Sequence, residues 1–268
     1  MHQSPPNDVW AIGAAYEPYM GRWSRQVARE FLAWLTVPPA RQWLDVGCGT
    51  GALSRIILDL ASPIEIIGVD PSEGYIAFAR DQVVDTRMSF IVGDAQALPF
   101  EPAQFDAVVS GLVLNFVPHP DRAVSEMQRV VRPGGIVAAY VWDYVDQMQF
   151  TRYFWNAAVK LDPAAIDLDE GQRFQICKPE SLTKLFHTTK LNNIEVRAID
   201  VPTVFNDFDD YWRPFLGGQG PAPTYAMSLS EDRHTALREE IRANLPIATD
   251  GSIHLITRAW AIRGVLSL

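Results

Sequence analysis

Short apolar runs recur along the first half of the chain, and segments with helical periodicity separate them. These runs predict five buried β-strands, which end near Val46, Asp70, Val92, Ser110 and Trp142. Apolar residues recur at helical spacing between the strands, first in the segment 52–60. Strands that alternate with helices in this way indicate a doubly wound α/β fold built on a parallel sheet.

The second half of the chain adds two strands and two segments that match no strand. Alternation of apolar and polar residues predicts strands over 194–201 and 252–264. Two aromatic-rich segments, 143–177 and 202–250, predict helical lid insertions. We therefore divide the chain into an N-terminal helical cover (1–40), a core (41–142), a first lid insertion (143–177), a continuation of the core (178–201), a second lid insertion (202–250) and a final core strand (251–268).

Composition narrows the classes of function. The chain has 268 residues, of which 48% are hydrophobic, and this suits one large α/β domain. Its net charge of −9 disfavours nucleic acid as a partner, because an acidic surface repels phosphate backbones. Two cysteines, Cys48 and Cys177, predict no disulfide framework. The polar N-terminus predicts no signal peptide, and no apolar run approaches the ~20 residues that span a bilayer, so we expect a cytoplasmic protein.

The turn after the first predicted strand carries candidate chemistry. Asp45, Gly47, Gly49 and Gly51 form the pattern Asp-x-Gly-x-Gly-x-Gly directly before the helix predicted from Ala52. Glycine adopts positive φ and has no Cβ, so a ligand can lie against the backbone near the free N–H groups of the helix. Such a turn is where an open α/β sheet binds a nucleotide. A glycine turn without a ligand is the alternative interpretation.

Asp45 distinguishes between two classes of cofactor. Gly47, Gly49 and Ala52 also fit the spacing of a dinucleotide site. A carboxylate beside a pyrophosphate is unfavourable, whereas S-adenosylmethionine (SAM) carries an ammonium and a sulfonium and has no phosphate. Asp45 suits that cationic end, directly or through water, and therefore favours SAM. The whole pattern resembles the first motif of class I SAM-dependent methyltransferases.

Further motifs agree with this resemblance. Asp70 ends the second strand, where a carboxylate can accept both ribose hydroxyls, although Asp70 and Ser72 can instead cap the next helix. The run Gly-Asp-Ala-x-x-Leu-Pro-Phe at 93–100 resembles the adenine-side motif of the quinone-biosynthesis-like (methyltransferase type 11) branch. A simple turn acid is the alternative for Asp94. The Arg-Pro-Gly-Gly turn at 132–135 is a further family feature with a structural role.

The resemblance implies a fold, a cofactor and a set of binding residues. The fold is a Rossmann-like seven-stranded sheet with the last strand antiparallel, in which 41–142 form the SAM-binding core. SAM is the cofactor, and no metal is expected. The residues predicted to bind it are Tyr16, Tyr19, Arg22, Asp45, Gly47, Cys48, Gly49, Gly51, Asp70, Pro71, Ser72, Asp94, Ala95, Ser110, Gly111 and Leu112. For Tyr16, Tyr19 and Arg22, packing or solvation is the alternative.

The predicted function is transfer of the SAM methyl group to a small-molecule acceptor. Aromatic insertions suit an apolar or aromatic substrate, although the same rings can form the interior of the lid. His119, Asp143 and Tyr144 are candidate general bases, but positioning alone can suffice, and His119 can instead cap the next helix. An NAD(P)-dependent oxidoreductase and a non-catalytic SAM-binding protein are the alternative functions. The sequence leaves the oligomeric state open, with a homodimer as one option.

Overall fold

The computed structural model describes residues 21–217 and 220–268. The strands are β1 (Gln42–Val46), β2 (Glu65–Asp70), β3 (Met88–Val92), β4 (Phe105–Gly111), β5 (Val131–Trp142), β6 (Leu191–Phe205) and β7 (Ile253–Leu266). The α-helices are α1 (Arg22–Leu35), α2 (Ala52–Ala61), α3 (Glu73–Gln82), α4 (Pro120–Val130), α5 (Gln149–Leu161), α6 (Glu170–Arg173), α7 (Pro179–Phe186), α8 (Phe208–Trp212), α9 (Pro221–Ser228) and α10 (Glu231–Asn244). Short 3₁₀ helices cover Pro163–Leu168 and Arg213–Leu216.

The strands form one mixed seven-stranded sheet in the order β3-β2-β1-β4-β5-β7-β6. Strands β1 to β5 are parallel, whereas β7 runs antiparallel to both of its neighbours, β5 and β6. The chain moves from β1 towards β3 in one direction and from β4 towards β5 in the other. Right-handed crossovers therefore place α2 and α3 on the face opposite α4. The predicted fold class, a doubly wound Rossmann-like sheet with the last strand antiparallel, is confirmed.

Strand β6 is longer than the sequence pattern predicts. We expected it over 194–201, but it continues to Phe205 because Pro202 to Phe205 pair with Ile256 to Ile253 of β7. Pro202 made the predicted strand end at residue 201, since proline lacks the N–H that a central strand needs. The proline is tolerated because β6 lies at the edge of the sheet. The pairing partner, which is distant in sequence, decides the length of this strand.

Several aromatic side chains of the segments 143–177 and 202–250 pack against one another. The rings of Phe150 and Phe154 in α5 both stack on Phe215, with centroids 4.6 Å apart in each pair. The Tyr211 hydroxyl donates a hydrogen bond of 2.8 Å to the carbonyl of Phe150. All four side chains are fully buried. These four rings therefore form an apolar interior shared by the two segments, as the alternative interpretation held.

Within the described residues, none of the helices combines the length and the apolar character needed to cross a membrane. The same part of the chain holds no group of three or more His, Cys, Asp or Glu arranged to bind a metal ion. Cys48 and Cys177 are free, and both are buried.

Candidate functional site

A cavity of about 470 Å³ lies at the carboxyl ends of β1, β2, β4 and β5. The sheet order reverses between β1 and β4, and open α/β sheets bind ligands at this kind of switch point. The predicted site residues that line the cavity are Asp45, Gly47, Cys48, Gly49, Asp70, Pro71, Ser72, Asp94, Ala95, Gly111, Leu112 and Tyr144. The fold thus gathers around one space residues that are far apart in the sequence.

The glycine turn after β1 exposes backbone to this cavity. Gly47 and Gly49 have positive φ angles of 74° and 51°. A Cβ on Gly47 would lie 2.5 Å from side-chain atoms of Val113, so the missing side chain permits close packing there. No atom of residues 21–217 and 220–268, apart from the chain neighbours of Gly49, lies within 4 Å of a Cβ placed on Gly49. Gly49 therefore leaves room for a ligand to approach the main chain.

Asp70, at the end of β2, is tied to this turn and to the following helix. Its Oδ2 accepts a hydrogen bond of 3.0 Å from the Gly49 N–H, and its Oδ1 accepts one of 2.9 Å from the Ser72 N–H. Burial raises the pKa of Asp70, and both hydrogen bonds oppose that rise. A carboxylate has capacity for further bonds, so it can still accept from ribose hydroxyls. Helix capping belongs to Ser72, whose hydroxyl accepts from the Tyr75 N–H. The ribose contact stays a prediction.

Asp45 is buried at the end of β1. Its Oδ2 accepts a hydrogen bond of 2.6 Å from the Ser54 hydroxyl, whereas its Oδ1 has no partner within the described part of the chain. Burial raises the pKa of Asp45 to about 7, and the negative charge of Asp70 adds to the rise. A buried acceptor without a donor is unfavourable. The site therefore fits a ligand that brings a cationic donor, as the amino-acid end of SAM does.

Asp94 forms a tight turn of the kind expected under the alternative interpretation. Its Oδ1 accepts a hydrogen bond of 2.9 Å from the Gln96 N–H and another from the Gln96 side chain. These bonds lower the pKa of Asp94, so the exposed carboxylate is ionised at neutral pH. Asp94, Ala95 and Gln96 all line the cavity. The contact with adenine stays a prediction, and a turn acid can make it.

Arg22 does not line the cavity. Its Nη2 donates a hydrogen bond of 2.7 Å to the Val204 carbonyl, and its Nη1 lies 3.5 Å from Asp210. The guanidinium is therefore turned to β6 and the segment after it, and Ser24 of the same helix lines the cavity instead. The local sequence gives no sign of these contacts, since the partners lie more than 180 residues away. Tyr16 and Tyr19 lie outside the described residues.

Four further candidates lie beside the cavity without lining it. Ser110 is buried and donates a hydrogen bond of 2.8 Å to the Val46 carbonyl, which ties β4 to β1. Gly51 occupies the N-cap of α2.

His119 holds the N-cap position of α4, but its side chain makes no capping hydrogen bond. Asp143 accepts from the Asp146 N–H at 3.2 Å, and burial raises its pKa. Of the three candidate bases, Tyr144 lines the cavity.

Sequence reasoning missed several residues of the lining. They include Ser24, Tyr75, Gln96, Val113, Phe116, Tyr140 and Trp142. Tyr140 and Trp142 end β5, so their strand-end position is a signal that could have identified them. Phe116 follows β4 in the same way, and its ring lies 5.1 Å from that of Phe174, which also packs on Tyr144. We refer to the rings of Phe116, Trp142, Tyr144 and Phe174 as the aromatic wall.

Comparisons with known proteins agree with this site. Residues 44–139 match the model of a methyltransferase domain family. The 2-methyl-6-phytyl-1,4-hydroquinone methyltransferase of Synechocystis is 33% identical over 191 residues, which are 69% of this chain and 58% of that protein. A malonyl-[acyl-carrier protein] O-methyltransferase of Methylococcus capsulatus is 37% identical over 142 residues, which are 50% of this chain and 51% of that protein. The chain thus spans a little over half the length of these curated relatives.

A solved structure shows the same fold. Phosphoethanolamine N-methyltransferase 2 of Haemonchus contortus, in complex with phosphomonomethylethanolamine and S-adenosylhomocysteine, superposes with a TM-score of 0.57 at 19% identity. The match covers 95% of this chain and 57% of that one. With the glycine turn and the strand-end acids around one cavity, the family match and the curated relatives show that residues 44–139 are a SAM-dependent methyltransferase domain of class I.

Proposed function

We propose that this chain transfers the methyl group of SAM to a neutral, apolar small molecule. The observation that carries the proposal is a single cavity that joins the glycine turn and three strand-end acids to an aromatic wall. Bound SAM supplies an electrophilic methyl group, which an electron pair of the acceptor attacks as the bond to sulfur breaks. The chain's task is then to align the two reactants and to exclude water, and proximity supplies much of the acceleration.

At the cofactor end of the cavity, each of three acidic residues is proposed to contact a different part of SAM. Asp70 is the proposed acceptor for the ribose hydroxyls, and Asp94 with the Ala95 N–H would face the adenine. Asp45 would receive the ammonium. Each of these groups lines the cavity and lies at the end of a strand or in the turn that follows it. Three carboxylates around one cavity suit an amino-acid–adenosine conjugate better than a diphosphate, because carboxylates repel phosphate.

The charge of the lining bears on the acceptor. Within the described residues, the cavity is lined by Asp45, Asp70 and Asp94 but by no Lys, Arg or His. No side-chain cation of this lining offsets the repulsion that an anionic acceptor would meet from the carboxylates. Of the two substrates named by the relatives, a hydroquinone fits this lining better than a malonyl group with its carboxylate.

The aromatic wall gives the acceptor end its shape. Phe116, Trp142 and Tyr144 line the cavity, and Phe174 supports two of these rings from behind. Such surfaces hold flat apolar molecules and keep water out. His119 and Asp143 do not line the cavity, whereas Tyr144 does. We propose that positioning carries most of the reaction, with Tyr144 as the candidate base that remains.

Turnover tests the proposal directly. The full chain is incubated with SAM and either neutral phenols and hydroquinones or aromatic carboxylates of similar size, and release of S-adenosylhomocysteine is measured. Release with the neutral set and little with the carboxylates supports the proposal. Absence of SAM binding by calorimetry would reject it, and thermal stabilisation by NAD alone would favour an oxidoreductase. Tight SAM binding without turnover on any acceptor would favour a non-catalytic SAM-binding protein.

Domain organisation, location and assembly belong to the same proposal. We propose the division at 40, 142, 177, 201 and 250 set out from the sequence, with lid insertions on a SAM-binding core. Two free cysteines suit a reducing compartment such as the cytoplasm. The net charge of −9 argues against nucleic acid as a partner. Sedimentation equilibrium distinguishes a monomer from the homodimer left open by the sequence.

A further inference from the structure

Ser54 occupies an unusual position for a helical serine. It lies in the first turn of α2 and is fully buried. A buried serine in a helix commonly bonds a backbone carbonyl one turn earlier. Here the hydroxyl reaches across to β1 and donates to Oδ2 of Asp45 at 2.6 Å. The short bond is typical of a hydroxyl donating to an ionised carboxylate.

This hydrogen bond divides the Asp45 carboxylate into two unlike oxygens. Oδ2 is occupied by Ser54, whereas Oδ1 has no partner within the described residues. Asp45 itself lines the cavity beside Gly47 and Gly49. The side chain is held by one oxygen and has acceptor capacity left on the other, which is the arrangement that an incoming donor requires.

We propose that Ser54 is a positioning residue for the amino-acid end of SAM. Its hydroxyl fixes the carboxylate of Asp45 so that Oδ1 receives the ammonium, directly or through one water. Ser54 does not line the cavity, and it acts only through Asp45. The inference rests on the proposed function, because it presumes that the cavity binds SAM.

Two ligands separate this role from a general loss of structure. S-adenosylhomocysteine carries the amino-acid end, whereas 5′-methylthioadenosine keeps the nucleoside but lacks that end. Ser54→Ala removes the hydroxyl, and Ser54→Cys nearly keeps the volume with a much weaker donor. Thr203→Val is the matched control, because it removes a buried hydroxyl that bonds Thr257 at 2.8 Å outside the cavity.

Calorimetry on the folded variants gives the outcome. We expect both Ser54 variants to bind S-adenosylhomocysteine about tenfold more weakly and to bind methylthioadenosine within twofold of the unaltered protein. Thr203→Val should leave both affinities unchanged. Equal loss of both ligands, or no loss of either, overturns the role of Ser54 while leaving the proposed function intact. Failure of the unaltered chain to bind S-adenosylhomocysteine overturns both. If Ser54→Ala does not fold, Ser54→Cys carries the test.

Discussion

The backbone N–H of Gly49 donates a hydrogen bond of 3.0 Å to Oδ2 of Asp70. The acid proposed to bind the ribose therefore also holds the turn that borders the rest of the cofactor. Because one carboxylate serves both purposes, its charge and its shape contribute separately. An asparagine keeps an acceptor oxygen for Gly49 but loses the charge, whereas an alanine loses both.

Replacement of Asp70 should weaken cofactor binding in two steps. We expect Asp70→Asn to raise the Kd for S-adenosylhomocysteine about tenfold, and Asp70→Ala to raise it further because the Gly49 N–H also loses its acceptor. Calorimetry measures both constants. Asp85→Asn, which removes a carboxylate from an exposed pair with Arg87, controls for net charge. An unchanged Kd in Asp70→Ala would contradict the assigned role.

Gly49 and Gly251 allow a matched test of the glycine turn. Both have positive φ, and a Cβ on either would meet no atom within 4 Å in the part of the chain that the structure describes. Gly49 lines the cavity, whereas Gly251 lies in the turn before β7. Alanine at either position should cost about 1–2 kcal/mol of stability, because left-handed backbone disfavours a Cβ. Only Gly49→Ala should also weaken binding of S-adenosylhomocysteine, since its methyl group would occupy ligand space. Equal affinities in the two variants would remove Gly49 from the site.

Phe174 supports the aromatic wall, so its removal should raise the KM for the acceptor. Phe174→Ala removes the ring that packs against Phe116 and Tyr144. We expect a several-fold rise in KM for a neutral aromatic acceptor and no change in the Kd for S-adenosylhomocysteine. Phe100→Ala is the control, since its ring packs on Phe105 and does not line the cavity. A higher Kd for S-adenosylhomocysteine with an unchanged KM for the acceptor would contradict this, because it would place Phe174 at the cofactor end of the cavity.

Buried Glu170 should make stability depend on pH. Burial raises its pKa to about 7, although the Trp155 indole N–H donates to it. The folded state then holds a proton that the unfolded state releases at its ordinary pKa of 4.5. The free energy of unfolding therefore falls as pH rises from about 4.5 to 7, by roughly 3 kcal/mol from this group.

Glu170→Gln tests this dependence. The amide can still accept from Trp155 but does not titrate, so the variant should gain stability relative to the unaltered protein at pH 8 and much less at pH 5. Urea unfolding at the two pH values measures the difference. Glu239→Gln removes an exposed carboxylate and serves as the control. A remaining slope in Glu170→Gln is expected, because Asp45 is shifted in the same direction.

Cofactor affinity should itself vary with pH. Asp45, whose pKa is about 7, faces the negative charge of Asp70 and lies near the buried Cys48 thiol. The carboxylate must be ionised to hold an ammonium, so affinity should rise as pH increases from 6 to about 7.5. At still higher pH the α-amino group of the ligand loses its proton and affinity should fall. Calorimetry with S-adenosylhomocysteine should show this maximum, and methylthioadenosine should not.

The sequence predicted the strands and their terminal acids because these depend on local pattern. Asp45, Asp70 and Asp94 follow apolar runs whose length and flanking glycines are readable without the fold. Contacts between distant segments could not be read in this way. The partner of Arg22 lies in β6, and Pro202 obscured the continuation of that strand. Ser54 looks like an ordinary helical residue, and only the crossing of α2 over β1 brings it to Asp45.

Trp23 joins helix α1 to aromatic rings that lie far from it in the sequence. Its ring lies 5.1 Å from Phe150 and 5.4 Å from Phe205, so α1 packs against α5 and the end of β6. The next residue, Ser24, borders the cavity. One helical turn therefore takes part both in this cluster of rings and in the boundary of the cavity, so a substitution that shifts Trp23 should also be felt at Ser24.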